Sequence, residues 1–168
     1  MHNIGEKIVY SGAGVMTVVD IREESIAGEK RKYYVLRADG APSSSLTFVP
    51  VDNEKLTSQM RRLLSREEIE AIIDEARSRP DEEWITDNRQ RSERFKHIIE
   101  SGDRAGMISM IGAIYKHGEA REAEGKKNFL ADENAMKRAE RLLYSEFSAV
   151  LGITEGEVVE YIKSRMTK

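Results

Sequence analysis

One short tract of the sequence combines side chains that could bind a nucleic acid. Trp84 is the only tryptophan of the chain, and four cations follow it: Arg89, Arg91, Arg94 and Lys96. An apolar wedge beside arginines is how minor-groove-binding proteins separate base steps while they hold the backbone. Cations at the start of a predicted helix are unfavourable toward the helix dipole, and a nearby phosphate would relieve that conflict. The tract therefore predicts a DNA contact.

The same tract has a second interpretation that needs no ligand. Trp84 could pack between two helices, because a lone tryptophan is usually largely buried. The arginines could then form surface ion pairs with Asp87, Glu93 and Asp81. Residue types and spacing do not separate the two interpretations, so both stay open at this point.

Other kinds of chemistry have little support. The chain has no cysteine, which excludes disulfides, thiolate zinc sites and cysteine nucleophiles. Its histidines have no metal-ligand spacing, and Gly12-Ala13-Gly14 lacks the Lys-Ser/Thr of a phosphate loop, so we interpret it as a hairpin turn. The acidic pairs lie in polar surroundings, which do not tune carboxylates for acid–base catalysis. We expect no enzyme, no metal, no cofactor and no small-molecule substrate.

Composition describes a charge-rich globular protein of one or two small domains. Of 168 residues, 39% are hydrophobic and 34% charged, and no run of about 18 apolar residues predicts a membrane span. The stretch 1–12 does not resemble a secretory signal, so we expect a cytoplasmic protein. A formal net charge of −3 argues against nonspecific coating of DNA. Any DNA contact must be local and aided by a partner.

The period of the apolar residues changes along the chain. Four β-rich segments come first, separated by a polar turn over 23–30 and a loop over 39–45: Ile4–Tyr10, Val15–Ile21, Lys32–Arg37 and Leu46–Val51. Short strands in antiparallel hairpin order predict a small β barrel. The residues near 1–55 are therefore predicted to form one domain.

Helical periodicity begins at Leu56 and predicts a second domain near 60–168. Two capping boxes, one at Ser65 and one at Thr154, begin helices, and Pro80 ends the first of them. Further helices are predicted over 89–100, from Met107 and over 135–150, with a break at Ser101-Gly102-Asp103. The sequence thus predicts an α+β protein in which a compact all-helical domain follows the β domain.

The order of these motifs resembles the CarD/CdnL family of bacterial transcription regulators. The first part of the similarity consists of Gly5–Val15, Tyr33–Leu36 and Leu46–Asn53, and it is shared with the polymerase-interacting module of transcription-repair coupling factors. The second part consists of Trp84, Arg91, Ser101-Gly102-Asp103 and the segment from Leu130 through Met136 and Ala139 to Leu143. In that segment we expect Asp132 or Asn128 to cap the helix.

The resemblance implies a Tudor-like N-terminal domain that binds the β subunit of RNA polymerase. It also implies a helical C-terminal domain that touches promoter DNA at the upstream edge of the transcription bubble. Trp84 would wedge into the minor groove there and help to hold the open complex, with the cations from Arg89 to Lys96 near phosphates. On this basis we expect a cytoplasmic, nucleoid-associated regulator without catalytic activity.

The expected polymerase contacts depart from the family pattern. The resemblance places them on the second and fourth strands, at Glu24, Thr47, Phe48, Val49 and Pro50. Glu24 and Phe48 stand where arginines are expected, so the charge pattern of the contact would differ, although pairing through a strand edge could persist. The rival interpretation is an adaptor that docks on polymerase but binds another protein with its helical domain, as the acidic balance permits.

Overall fold

The computed structural model of the chain describes residues 1–10, 13–39, 41–42 and 44–167. The predicted turn residue Gly12, and Gly40 and Ser43 of the predicted loop, lie outside these ranges. Internal contacts divide the chain into two compact units, Met1–Leu63 and Leu64–Lys168. An antiparallel sheet occupies the first and helices occupy the second, which confirms the predicted α+β class.

The first unit is a five-stranded antiparallel sheet in the order β4-β3-β2-β1-β5. Its strands are β1 (Lys7–Tyr10), β2 (Gly14–Ile26), β3 (Glu29–Ala38), β4 (Thr47–Pro50) and β5 (Met60–Arg62). A single helical turn, α1 (Glu54–Thr57), lies between β4 and β5. The sequence did not predict β5, which pairs with β1 and extends the unit to Leu63. The order leaves β4 with a strand neighbour on one side only.

One face of the sheet carries the core of the first unit. Ile8, Val18, Leu36 and Val49 contribute fully buried side chains from four adjacent strands. Alternate residues of a strand point to opposite faces, so this set fixes the register of each strand. A one-residue slip of β4 would move Val49 out of the core.

The β2–β3 hairpin is longer than predicted. Most of the stretch 23–30, which was expected to be a polar turn, continues the two strands, and only Ala27 and Gly28 lie between them. Both have positive φ, 54° and 78°, as the central residues of a tight type I′ hairpin turn require. Cross-strand charge pairing, such as that of Lys30 with Glu23 at 3.4 Å, allows polar residues to stay in the ribbon.

The described residues of the second unit, up to Thr167, form five helices. They are α2 (Arg66–Ser78), α3 (Asn88–Ser101), α4 (Arg104–Ala123), α5 (Leu130–Leu151) and α6 (Glu155–Met166). Both predicted capping boxes are confirmed, and α2 ends just before Pro80 as predicted. Within the described residues no helix is long and apolar enough to cross a membrane.

The helices enclose two apolar clusters. One is formed mainly by α2, α5 and α6, with Ile73 and Phe147 at its centre, and the other by α3, α4 and α5 around Phe95 and Met110. The long helix α5 contributes to both clusters. This shared helix ties together the elements that carry the predicted DNA contacts.

The start of α5 differs from the prediction. The helix begins at Leu130 rather than near Ala135, and its N-cap residue Phe129 makes no side-chain capping bond. The expectation that Asp132 or Asn128 caps the helix is wrong. Asp132 instead lies inside the first turn with only 2% of its surface exposed. Its carboxylate accepts a hydrogen bond from Arg91, which is 41 positions away, so the local sequence does not reveal this contact.

A buried ion pair in the helical unit gives a stability prediction. Glu146 is 1% exposed, and its carboxylate accepts hydrogen bonds from Arg104 Nε and from the backbone N–H of Leu64, each at 3.0 Å. Arg104→Ala would remove a charged hydrogen-bond donor from this buried carboxylate, so we expect it to lower the free energy of unfolding by about 2 kcal/mol. Lys96→Ala, which breaks the exposed pair with Glu100, should change it by less than about 0.5 kcal/mol.

Urea unfolding of both variants, followed by the fluorescence of the single tryptophan, measures the difference directly. Equal and small effects in the two variants would contradict the assignment of Glu146 as a charge held in place by Arg104.

Candidate functional site

Trp84 lies in the extended link between α2 and α3, and it is half-buried. Its ring stacks on the imidazole of His117 in α4, with centroids 3.8 Å apart and planes inclined by 14°. The ring of Phe95 lies 6.2 Å away on α3. The indole therefore packs at the margin of the second apolar cluster and does not project as an isolated wedge.

The part of Trp84 that stays accessible opens into a groove of about 480 Å³. Pro80 forms part of its lining on one side, and the small residues Gly112 and Ala113 of α4 form another part. A Cβ added at Gly112 would meet no atom within 4 Å, so this wall is open. An apolar or aromatic group that enters the groove can reach the indole without unpacking it.

Arg91 lies beneath this site rather than on the surface. It is 2% exposed, and Nε donates to Asp132 Oδ1 at 2.9 Å. The other nitrogens donate to the carbonyl oxygen of Ile85 at 2.9 Å and to Asn88 Oδ1 at 2.8 Å. Because every side of the guanidinium is occupied, it presents no nitrogen to a phosphate in this conformation. We therefore remove Arg91 from the predicted DNA-facing set and assign it to the interior.

The Arg91 guanidinium also joins a column of rings. Its carbon lies 4.7 Å from the centroid of the Trp84 ring and 5.1 Å from that of Phe129, the N-cap residue of α5. The guanidinium carbon of Arg121 lies 4.2 Å from the centroid of the Phe129 ring. Arg121 belongs to α4, where it follows His117 by one helical turn. Cation–π contacts of this kind are strongest where the cation is desolvated. The column thus connects the link, α3, α4 and α5.

The surroundings of His117 favour its neutral form. Burial lowers the pKa of its imidazole below the usual 6.5, and the positive charges of Arg91 and Arg121 lower it further. A neutral imidazole stacks on Trp84 without adding a third positive charge to the column. The contact is therefore best suited to neutral pH.

The remaining predicted cations lie at the surface and are paired. Arg94 Nε contacts Glu82 at 3.0 Å, Arg89 contacts Glu93 at 3.5 Å, and Lys96 contacts Glu100 at 3.9 Å. The last two pairs are within one helix and largely exposed, so they contribute little and can be exchanged for other partners. Arg89, Arg94 and Lys96 thus lie at the surface of the α3 region, whereas Arg91 is the predicted cation that lies against Trp84.

The two acids that the packing interpretation named beside Glu93 have other roles. Asp87 is the N-cap residue of α3 and accepts from the backbone N–H of Gln90 at 2.8 Å. Asp81 pairs loosely with Lys116 at 3.6 Å. The interpretation that needs no ligand therefore describes most of this region. Trp84 packs against helices, and the arginines form ion pairs.

The predicted polymerase contacts on β4 fall on two faces of the strand. Val49 is fully buried in the core of the first unit, so it can meet a partner only through its backbone. Phe48 points to the opposite face and is half-buried. Its ring meets Tyr33 edge-on at 5.9 Å, and the Arg22 guanidinium lies 5.7 Å from its centroid.

Arg22 is a residue of this surface that the sequence analysis missed. It lies two positions before Glu24 on β2, and it donates to Glu24 at 2.8 Å and to Asp20 at 3.2 Å. The signal was available, because residues two apart on a strand share a face. Glu24 is consequently not an isolated acid but one end of a charge ladder beside Phe48.

The predicted site residues lie on two separate surfaces, one in each unit. Among the described residues no three histidine, aspartate or glutamate side chains converge so that they could hold a metal ion. The first unit offers a sheet edge with an aromatic and charged face. The second unit offers a half-buried indole in a groove.

Comparison with known proteins gives a match for the first unit. Residues 2–64 match the family described as the CarD-like/TRCF RID domain, and the match covers almost the whole first unit. The chain matches none of the curated proteins with which it was compared. The strand order, the core and the family match concern the same residues. The first unit is therefore similar to the CarD-like/TRCF RID domain, and this similarity supports a role in transcription through interaction with RNA polymerase.

Proposed function

We propose that the chain is a non-enzymatic transcription regulator that binds the β subunit of RNA polymerase and stabilises the promoter open complex. The observation that carries the proposal is the position of β4, Thr47–Pro50, at the edge of a polymerase-interacting domain. The helical unit then meets promoter DNA at the upstream edge of the bubble. The protein acts in the cytoplasm, where it accompanies polymerase on the nucleoid.

Strand addition is the docking mode that suits β4. An edge strand presents unpaired backbone groups on its outer side, and a strand of the partner can pair with them. Pro50 has no N–H, so a ladder of this kind would end there. Phe48, with Arg22 and Glu24 beside it, supplies side-chain contacts on the adjoining face. Backbone pairing supplies part of the affinity in this mode, and the Phe48 side chain supplies specificity together with further affinity.

The proposed DNA contact uses Trp84 at the accessible side of its groove. Unstacking a base step costs a few kcal/mol, which a wedge can offset where the duplex is already distorted, as at a bubble edge. Polymerase binding raises the effective concentration of the helical unit at that site. Arg89, with 89% of its side chain exposed, and Lys96 are free to approach the flanking phosphates.

A second candidate function is supported by the packing of Trp84. The indole is held by His117 and Arg91, and most of the surface of the groove beside it is apolar, with charged residues such as Arg79 and Glu82 also in its lining. An apolar segment of another protein would fit such a groove, in which case the chain is a polymerase-docking adaptor. The two candidates differ in whether Trp84 affects the open complex itself.

One prediction of the proposed function concerns docking. Phe48→Ser removes an aromatic contact at the edge, and we expect it to weaken binding of the full chain to purified β subunit by at least about 30-fold, as for an interface hot spot of about 2 kcal/mol. Ile26→Ser, at the exposed tip of the β2–β3 hairpin, is the control and should bind normally. Binding is measured by titration calorimetry, after thermal melting has shown that both variants are folded. Normal binding by Phe48→Ser would overturn the β4 docking mode.

Another prediction of the proposed function concerns Trp84. Because the indole is half-buried, Trp84→Ala should lower the free energy of unfolding by about 2 kcal/mol, less than the roughly 3–5 kcal/mol of a fully buried aromatic residue. It should also shorten the lifetime of competitor-challenged open complexes toward the value without the protein. Trp84→Phe should give an intermediate lifetime with a smaller loss of stability.

Tyr115→Ala is the matched control, because Tyr115 is an exposed aromatic residue of α4. It should leave both the stability and the open-complex lifetime unchanged. A normal lifetime with Trp84→Ala, while polymerase binding persists, would reject the DNA contact and favour the adaptor function.

A further inference from the structure

The charged residues of α5 are sorted by burial. The helix carries four acids and three bases, so its sequence is slightly acidic. Two of the acids, Asp132 and Glu146, are buried and are neutralised by Arg91 and Arg104 from other helices. The charge that α5 shows to solvent is therefore more positive than its sequence suggests.

The three bases remain on the outside and are close together. Lys137 and Arg141 are exposed and one helical turn apart, and Arg138 lies half-buried beside them. In the part of the chain that the structure describes, none of the three forms an ion pair or a side-chain hydrogen bond. We call this set the α5 ridge. It contrasts with α3, where Arg89 and Lys96 each have a carboxylate partner in the same helix.

Glu140 is the carboxylate of α5 that lies closest in sequence to the ridge. Glu140 is only partly exposed, and burial raises the pKa of its carboxyl group, although the positive charge of Lys137 opposes that change. Like charges one helical turn apart, as at Lys137 and Arg141, destabilise a helix by a few tenths of a kcal/mol. An anion bound along the ridge would remove that repulsion.

We propose that the α5 ridge binds the phosphate backbone of duplex DNA. The inference rests on the proposed function, since polymerase would bring the helical unit to the promoter, and it adds a phosphate contact outside the tract from Trp84 to Lys96. Duplex DNA fits the ridge because its charge is dense and regular, about one phosphate per 1.7 Å of axis. Lys137 and Arg141 are separated by about 6 Å along the helix, which allows each to meet a different phosphate.

The ridge would supply affinity and fix the position of the helical unit on the duplex. It would give no sequence preference, because phosphate contacts carry no sequence information directly. This division suits a regulator that is brought to the promoter by polymerase. It also explains how a chain with net charge −3 can bind DNA, since the ridge is a local excess of positive charge.

The test compares the full chain with a Lys137→Gln/Arg138→Gln/Arg141→Gln variant. Fluorescence anisotropy with a labelled forked duplex measures binding at several salt concentrations, with and without polymerase. Each phosphate contact contributes about 0.9 to the slope of log K against log salt, so the variant should lose about two to three from the slope. Affinity at moderate salt should fall by at least about tenfold.

A charge-matched control is Lys126→Gln/Lys127→Gln/Lys163→Gln, which removes three exposed cations elsewhere on the same unit. It should retain the slope of the natural chain. An equal loss in both triple variants would show a net-charge effect and overturn the ridge. Arg141→Glu alone should weaken binding in the same direction, and it provides the measurement if the triple variant does not fold.

The outcomes separate the ridge from the function on which it rests. If the natural chain prolongs the open complex and the ridge variant does so with an unchanged salt slope, the ridge is rejected and the proposed function stands. If the natural chain binds the forked duplex neither alone nor with polymerase, the DNA contact and the ridge both fail, and the adaptor function remains.

Discussion

The buried ion pair between Arg91 and Asp132 is the interaction on which the helical unit depends most. Both side chains are almost completely inaccessible, and removing two charges from water costs several kcal/mol per ion unless hydrogen bonds compensate for it. Here Arg91 also donates to Ile85 and Asn88, and aromatic rings lie against its remaining surface. The pair therefore fixes three things at once: the link that carries Trp84, the first turn of α3 and the first turn of α5.

The same pairing decides the charge that the unit shows to its surroundings. When an arginine from one helix neutralises a buried acid of another, the outward side of the second helix loses an acid. This happens twice on α5, at Asp132 and at Glu146, while its own bases stay at the surface. A protein with more acidic than basic residues can in this way present a basic ridge. Net charge constrains long-range attraction, but burial decides the local field.

Much of the fold could be predicted because its signals are local. The capping boxes at Ser65 and Thr154, the helix stop at Pro80 and the left-handed Gly102 before α4 each depend on neighbouring residues. The long β2–β3 ribbon was missed because its polar residues gave the composition of a loop, whereas the backbone turns within Ala27 and Gly28. Strand β5 is three residues long and gains its stability from pairing with β1, which no local pattern encodes.

The site was only partly predictable, because its contacts join residues that are far apart in the sequence. The sequence identified the tract around Trp84, but it could not say which cation would turn inward, because the partner of Arg91 is 41 positions away along the chain. An arginine that is buried and one that is exposed look alike in a charge run. The distinction comes from tertiary contacts, and it changes the role of the residue from binding a phosphate to positioning an indole. A search for DNA contacts in such a chain should therefore begin with the cations that remain unpaired after the buried acids have been matched, and on this unit that leads to α5 before α3.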